Sequence, residues 1–237
     1  MIGAAADVHV RVMGLSFSGP LGVAAGVDRD GRKIASLDLA GFGHIEIGTV
    51  TPETPIAFQE RPRALRVGFN FGSARQGLDD GVIEDYCAAL RYVSERADYL
   101  CANLTSPHGG RGGDSPGVES LLRRLRAERY HLAEQSARVA PLLIKVAAGR
   151  GNDLMPRAIA EARRLRFDGV VLVCADLPRI GAVKDFIGDL DLISVGGVTT
   201  AEEVGGRIRC GASLVETHSA FLAGEAAALK GSRARRP

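Results

Sequence analysis

Cys101-Ala102-Asn103-Leu104-Thr105-Ser106-Pro107-His108-Gly109-Gly110 reads as a buried strand running into a polar, glycine-rich loop. The apolar run 99–104 carries one amide, Asn103, where a purely structural strand would hold another aliphatic side chain. A buried amide without partners costs about 1–3 kcal/mol, so Asn103 must bond to a neighbour or a ligand. Pro107 biases Ser106 away from helical dihedrals and stiffens the turn. Gly109, Gly110, Gly112 and Gly113 then leave the backbone free to close over a site. By itself the stretch is accounted for by a satisfied amide and an ordinary turn serine, so its weight depends on its surroundings.

Outward from this strand, short apolar runs alternate with helical spacing in both directions. Upstream lie strands at 21–26, 44–49 and 65–71, with helices at 33–40 and 83–97 and a proline-rich, aperiodic segment at 50–63. Downstream come helix 118–137, strand 142–147, helix 155–165 and strand 169–173. A short connection leads on to strand 192–197, then helix 201–208 and strand 213–217. Continuous apolar strands separated by helices imply a parallel sheet covered on both faces. Eight such units predict a single α/β domain, a closed (β/α)8 TIM barrel, with its site at the C-terminal ends of the strands. Residues 1–18 form a leader whose alternation over 8–12, followed by Met13-Gly14, predicts a β-hairpin plugging the barrel bottom. The basic tail 229–237 is expected to fray.

Composition excludes several alternatives. The 237 residues are 46% hydrophobic and 24% charged, the balance of an ordinary globular protein with ample core. A formal net charge of +2 is too small to imply a nucleic-acid partner. Cys87, Cys101, Cys174 and Cys210 are scattered, with neither C-x-x-C nor histidines at zinc spacing, so no metal site or disulfide framework is expected. Residues 1–7 lack the basic and apolar regions of a signal peptide, and no apolar run would span a bilayer; cytoplasmic location is the expectation.

In a barrel, the polar exceptions in the strands converge on one mouth: Thr49, Asn70, Asn103, Ser106, Lys145 and His218. The ends of the seventh and eighth strands, Ser194-Val195-Gly196-Gly197 and Thr217-His218-Ser219-Ala220, offer backbone N–H groups where barrels commonly hold phosphate, helped by a following helix N-terminus. A buried Lys145 needs a partner: a carboxylate, a carbonyl substrate in a Schiff base, or an anionic cofactor. With Gly-Gly at the phosphate end and two buried asparagines, flavin mononucleotide (FMN) is the favoured cofactor.

Several blocks in order, from about 14 to 221, resemble dihydroorotate dehydrogenases, most closely the quinone-using branch. They are Gly14-Leu15-Ser16-Phe17, Gly22-Val23-Ala24-Ala25-Gly26-Val27-Asp28-Arg29-Asp30-Gly31, Glu46-Ile47-Gly48-Thr49-Val50-Thr51-Pro52, Arg61-Pro62-Arg63, Asn103-Leu104-Thr105-Ser106-Pro107, Leu143-Ile144-Lys145 and Val195-Gly196-Gly197 with Gly211-Ala212-Ser213-Leu214-Val215. The resemblance implies an FMN-dependent oxidoreductase acting on a CH–CH group in pyrimidine biosynthesis. Ala25, Gly26 and Thr49 would line the flavin, while Asn70 and Asn103 would bond the ring or the substrate. Lys145 would sit at the N1–O2 edge, and Gly196, Gly197, His218 and Ser219 would mark the phosphate end. Ser106 would remove the substrate proton, aided by water or by Thr105 because a serine hydroxyl is a poor base.

The substrate half departs from the pattern. Arg29 stands at the family's lysine position and His108 at an asparagine position, and the asparagine ending the sixth strand falls at Cys174-Ala175-Asp176. A segment after Arg63, a glycine-serine loop between Asp176 and Leu192, and the N-terminal helical extension that forms a quinone tunnel have no counterparts here. Losing amides that select a substrate by hydrogen bonding changes specificity strongly. The expected substrate is therefore small and anionic, met by Arg29, Asn103, His108 and Cys174, and not necessarily dihydroorotate. The electron acceptor is left open, and a homodimer is the assembly considered. Two other readings are a flavin-free lyase or aldolase using Lys145, and a non-catalytic barrel subunit.

Overall fold

The computed structural model describes residues 9–57, 64–105, 112–136 and 139–218. Strands β1 (Val10–Val12) and β2 (Leu15–Phe17) form an antiparallel hairpin. Its turn places Met13 and Gly14 at φ +53° and +75°, the left-handed pair that a two-residue hairpin loop requires. Eight parallel strands then close in chain order: β3 (Leu21–Val23), β4 (His44–Val50), β5 (Arg66–Phe71), β6 (Tyr99–Asn103), β7 (Leu142–Ala147), β8 (Gly169–Val173), β9 (Asp191–Val195) and β10 (Leu214–Thr217), with β10 pairing back onto β3.

Helices α1 (Ile34–Leu39), α2 (Asp80–Val93), α3 (Val118–Gln135), α4 (Arg157–Arg164), α5 (Leu177–Ile187) and α6 (Ala201–Arg209) surround the barrel. Helix α5 corrects the expected short connection between the sixth and seventh strands. Pro178 and Gly181 hide it in the sequence, yet a proline in the first turn costs little because its N–H would have no helical partner. Ile180, Val183 and Ile187 form the buried stripe of α5, and Gly188 ends the helix at φ +62°. The α2 helix starts before the expected 83, where the Asp79 carboxylate accepts from the Val82 N–H at 2.9 Å.

Strand alternation sorts the core into two layers. Ile45, Ile47, Val67, Phe69, Phe71, Ile144, Val170 and Leu172 belong to the large cluster packed against the helices. A smaller cluster fills the barrel: Ala24, Tyr99, Cys101, Leu143, Val171, Ile193, Val195 and Leu214, joined by Val12 and Phe17 of the hairpin. The leader thus closes one end of the barrel as expected, secured by Met13 N–H donating to Asp191 (2.7 Å) and Arg66 Nε donating to the Ser16 carbonyl (2.8 Å). Glycines make room for the larger interior rings. A Cβ on Gly22 would lie 2.3 Å from the His44 ring, and one on Gly68 would lie 2.2 Å from the Tyr99 ring.

Candidate active site

Inward-facing positions of β4, β5, β6, β7 and β10 carry polar side chains where the rest of the barrel is apolar. Those of β4, β5, β6 and β7 are joined by hydrogen bonds. Asn103 Nδ2 donates to Thr49 Oγ1 (2.8 Å), Thr49 Oγ1 donates to Asn70 Oδ1 (3.0 Å), and Asn70 Nδ2 donates to Glu46 Oε2 (3.2 Å). Lys145 Nζ donates to that same carboxylate oxygen at 3.1 Å. The Asn103 amide oxygen accepts from the Thr105 N–H (2.9 Å) and hydroxyl (2.7 Å), and the Tyr86 hydroxyl donates to the Asn103 carbonyl. Adjacent register places Lys145 opposite Asn103, while a register shift between Gly48 and Val50 interrupts the β4–β5 ladder at Thr49.

Lys145 is 7% exposed and lies between two carboxylates, with Glu46 Oε2 at 3.1 Å and Glu216 Oε2 at 3.7 Å. The other Glu216 oxygen is 3.6 Å from His44 Nε2. Among the described residues, Glu46 Oε1, both Glu216 oxygens, both His44 ring nitrogens and the Tyr99 hydroxyl have no hydrogen-bond partner. Burial, and then the charge of Glu216, push the Glu46 carboxyl above its ordinary range against the opposing pull of Lys145. Burial alone would lower the Lys145 ammonium, but the Glu46 and Glu216 charges outweigh it and hold the lysine protonated. Burial and then Glu46 raise the Cys101 thiol, so it contributes no thiolate to the site.

At the rim, Gly26 adopts φ +102° and donates to the Gly48 carbonyl at 2.8 Å. A Cβ at Gly26 would come within 3.0 Å of His218 Nε2, so a bare backbone lets β3 and β10 approach here. Gly196 and Gly197 turn away from β9 at φ +108° and +69°. The N-terminus of α6 is partly satisfied from within the chain. Thr200 and Glu203 form a capping box, and Glu203 accepts from the Thr199 and Thr200 N–H groups at 2.7 and 2.9 Å.

Of the expected site residues, Ala25, Gly26, Thr49, Asn70, Asn103, Lys145, Gly196, Gly197 and His218 lie at strand ends or in the barrel interior. Arg29 is exposed in the loop after β3, where Asp28 accepts from the Gly31 and Lys33 N–H groups, each at 2.9 Å. Cys174 packs with the outer cluster, and its thiol faces the Gly149 and Asp176 carbonyls at 3.7 and 3.6 Å. Ser106, His108 and Ser219, with the basic tail, fall outside the described residues. Sequence reading missed Glu46, Glu216, His44 and Arg207. The first three could have been found by asking which positions of an apolar strand share the inward parity of Asn70 and Lys145.

Arg207 is a second kind of buried cation, 2% exposed on α6. It donates to the Cys174 carbonyl (2.7 Å), the Ser194 hydroxyl (2.6 Å) and the Gly196 carbonyl, holding the ends of β8 and β9 together. Arg179 on α5 does similar work for the loop after β7, donating to the Ala148 and Leu154 carbonyls at 3.0 and 2.9 Å. These arginines reinforce the backbone that joins β7, β8 and β9 to the loops beyond them.

Fold and site together define a (β/α)8-barrel protein whose strand ends carry an amide–hydroxyl–carboxylate–ammonium network beside a glycine-lined rim. The family profile described as dihydroorotate dehydrogenase matches residues 7–70. "Dihydroorotate dehydrogenase (quinone)" of Thermobifida fusca is 30% identical, the match covering 92% of this chain and 76% of the relative. Its namesake in Dechloromonas aromatica is also 30% identical, over 90% of this chain and 80% of that protein. The first alignment spans 285 residues, more than this chain's 237, as expected if the relative carries segments this chain lacks. In fold, a crystal structure of DHODH in complex with ferulenol from Eimeria tenella superposes with a TM-score of 0.80 at 19% identity, covering 95% of this chain and 83% of that one. The chain belongs to the dihydroorotate dehydrogenase family.

Proposed function

We propose that this chain is an FMN-dependent oxidoreductase that oxidises a small anionic substrate of the dihydroorotate type. The observation that carries the reading is the continuous path Asn103–Thr49–Asn70–Glu46–Lys145 at the strand ends of a member of this family. The residues present suit the cofactor: a bare-backbone rim at Gly26, Gly196 and Gly197, amide donors within, and an ammonium held protonated. When bound, FMN supplies the two-electron acceptor for a hydride leaving the substrate. Ala25, Gly26 and Thr49 would line the ring, and Asn70 and Asn103 would bond the ring or the substrate. Lys145 would offer it positive charge. Main-chain N–H groups of Gly197, His218 and Ser219, beside Gly196, would hold the phosphate.

Ser106 takes the proton from the substrate carbon next to the one that loses hydride, leaving a carbon–carbon double bond. Arg29 and His108 meet the substrate's anionic and polar groups, whereas the Cys174 thiol is engaged elsewhere. The proposed acceptor is a quinone, as in the relatives' names, and the proposed setting is a cytoplasmic homodimer. Among the described residues no helix is long and apolar enough to cross a membrane. A Schiff-base role for Lys145 is disfavoured, because such a lysine must be neutral and two carboxylates keep this one charged.

Purified protein should be yellow and release FMN on denaturation, and anaerobic mixing with dihydroorotate should bleach it. Ser106→Ala should retain FMN while its reduction slows about 100-fold or more. Unchanged reductive half-reaction kinetics would refute the base assignment, and a colourless protein that cannot be reconstituted with FMN would refute the cofactor.

A further inference from the structure

We infer that Glu216 is a counter-charge to Lys145, a positioning residue that sets how much positive field the flavin ring meets. The inference rests on the reading that FMN binds in the mouth with Lys145 at its edge. Glu216 lies on β10, fully buried, opposite Gly22 of β3 and Val195 of β9. The titratable groups facing this cluster are Lys145 from β7, Glu46 and His44 from β4, and Cys101 and Tyr99 from β6.

Glu216 meets its neighbours at ion-pair distance and not through hydrogen bonds. Neither of its oxygens receives a hydrogen bond from the described residues, its distance to Lys145 Nζ is 3.7 Å, and its distance to His44 Nε2 is 3.6 Å. An amide or an apolar side chain of the same size would fit the space without the desolvation cost of a buried charge. What a carboxylate adds is field. Glu46 already pairs with Lys145 at 3.1 Å, so Glu216 makes two carboxylates for one ammonium in the barrel interior. The lysine is held in place between them and its charge is compensated from below.

Reduction of a flavin places negative charge at its N1–O2 edge, and a cation there favours the reduced form. Compensating that cation lowers the reduction potential and eases passage of electrons to the acceptor. Glu216 therefore acts on the cofactor through Lys145 without touching it.

The test uses the full chain reconstituted with FMN: wild type, Glu216→Gln and Glu216→Asp, each checked for folding by circular dichroism and for bound FMN by absorbance. The flavin midpoint potential is then measured by dye equilibration at fixed pH. Glu216→Gln should shift the equilibrium about tenfold toward reduced flavin, which is about 30 mV for a two-electron couple. Glu216→Asp, which keeps the charge, should stay within about twofold of wild type. Should the glutamine variant not fold, Glu216→Met replaces it with the same expectation. FMN-bound Glu216→Gln at the wild-type potential, or an aspartate variant displaced as far as the glutamine one, overturns the role of Glu216 and leaves the cofactor reading intact. Failure of the wild type itself to bind FMN overturns both.

Discussion

Lys145 and Arg207 are both buried cations close to the mouth of one barrel, and they are stabilised in opposite ways. Lys145 sits inside the strand wall with carboxylates at 3.1 and 3.7 Å and several acceptor atoms left unpaired around it. Arg207 sits outside the wall, on α6, and spends its donors on two carbonyls and a hydroxyl. An ammonium is a compact charge best met by ions, whereas a guanidinium can spread its charge over several neutral oxygens. The first arrangement leaves buried acceptors without hydrogen-bond partners among the described residues, beside a charge shared by groups from three strands. The second ties both Nη atoms of Arg207 to neutral oxygens, with Nε left unpaired among the described residues, and its product is a fixed backbone at Cys174 and Gly196. Burial of charge alone therefore does not mark an active site; a cluster of ionisable side chains from several strands with acceptors left unpaired is the better sign.

The comparison can be broken in order of expected effect. Lys145→Met strands two buried carboxylates, so unfolding stability should fall by about 3–5 kcal/mol, with FMN affinity lost alongside. Urea melts and flavin titration check both, and a neutral substitution would mean the cluster is wetter or less charged than its geometry implies. Arg207→Met should cost about 2–3 kcal/mol, since charge-assisted bonds to two carbonyls disappear. Its FMN affinity should fall through the loosened Gly196 turn, while riboflavin, which lacks phosphate, should bind as in wild type.

Gly22→Ala tests the space rather than the charge. Its Cβ would meet the His44 ring at 2.3 Å inside a packed barrel, so a loss of about 1–3 kcal/mol is expected in a thermal melt. The smallest effect is in pH dependence. The Lys145 folded-state value is raised above its usual 10.5, so its pairing contributes fully below that pH and is lost as pH rises through the folded value. The stability gap between wild type and Lys145→Met should stay flat at pH 8–10, then narrow by at most about 1.4 kcal/mol per pH unit above it. A gap that widens with alkali would reverse the assigned sign.

Much of this was legible in one dimension because barrel strands are short, buried on both faces and separated by helices. The run from 169 to 173 and that from 142 to 147 match their strands without adjustment. Helix α5 was hidden because Pro178 and Gly181 are breakers by composition, while the burial of Ile180 and Val183 is decided by packing. Asn103, Asn70 and Lys145 stood out as polar residues in apolar runs. Glu46 is the same kind of exception in an equally apolar run; what the sequence does not show is its pairing with Lys145, 99 positions away.

Periodicity and the polar exceptions within it determined the eight-fold alternation, the hairpin leader and the family resemblance, because each depends on neighbours along the chain. Only closure of the barrel decided that a carboxylate from β4 and another from β10 flank an ammonium from β7, and that α6 caps its own N-terminus. Electrostatic partners in a closed sheet are set by register and by which face each strand turns inward, and both are consequences of the whole ring.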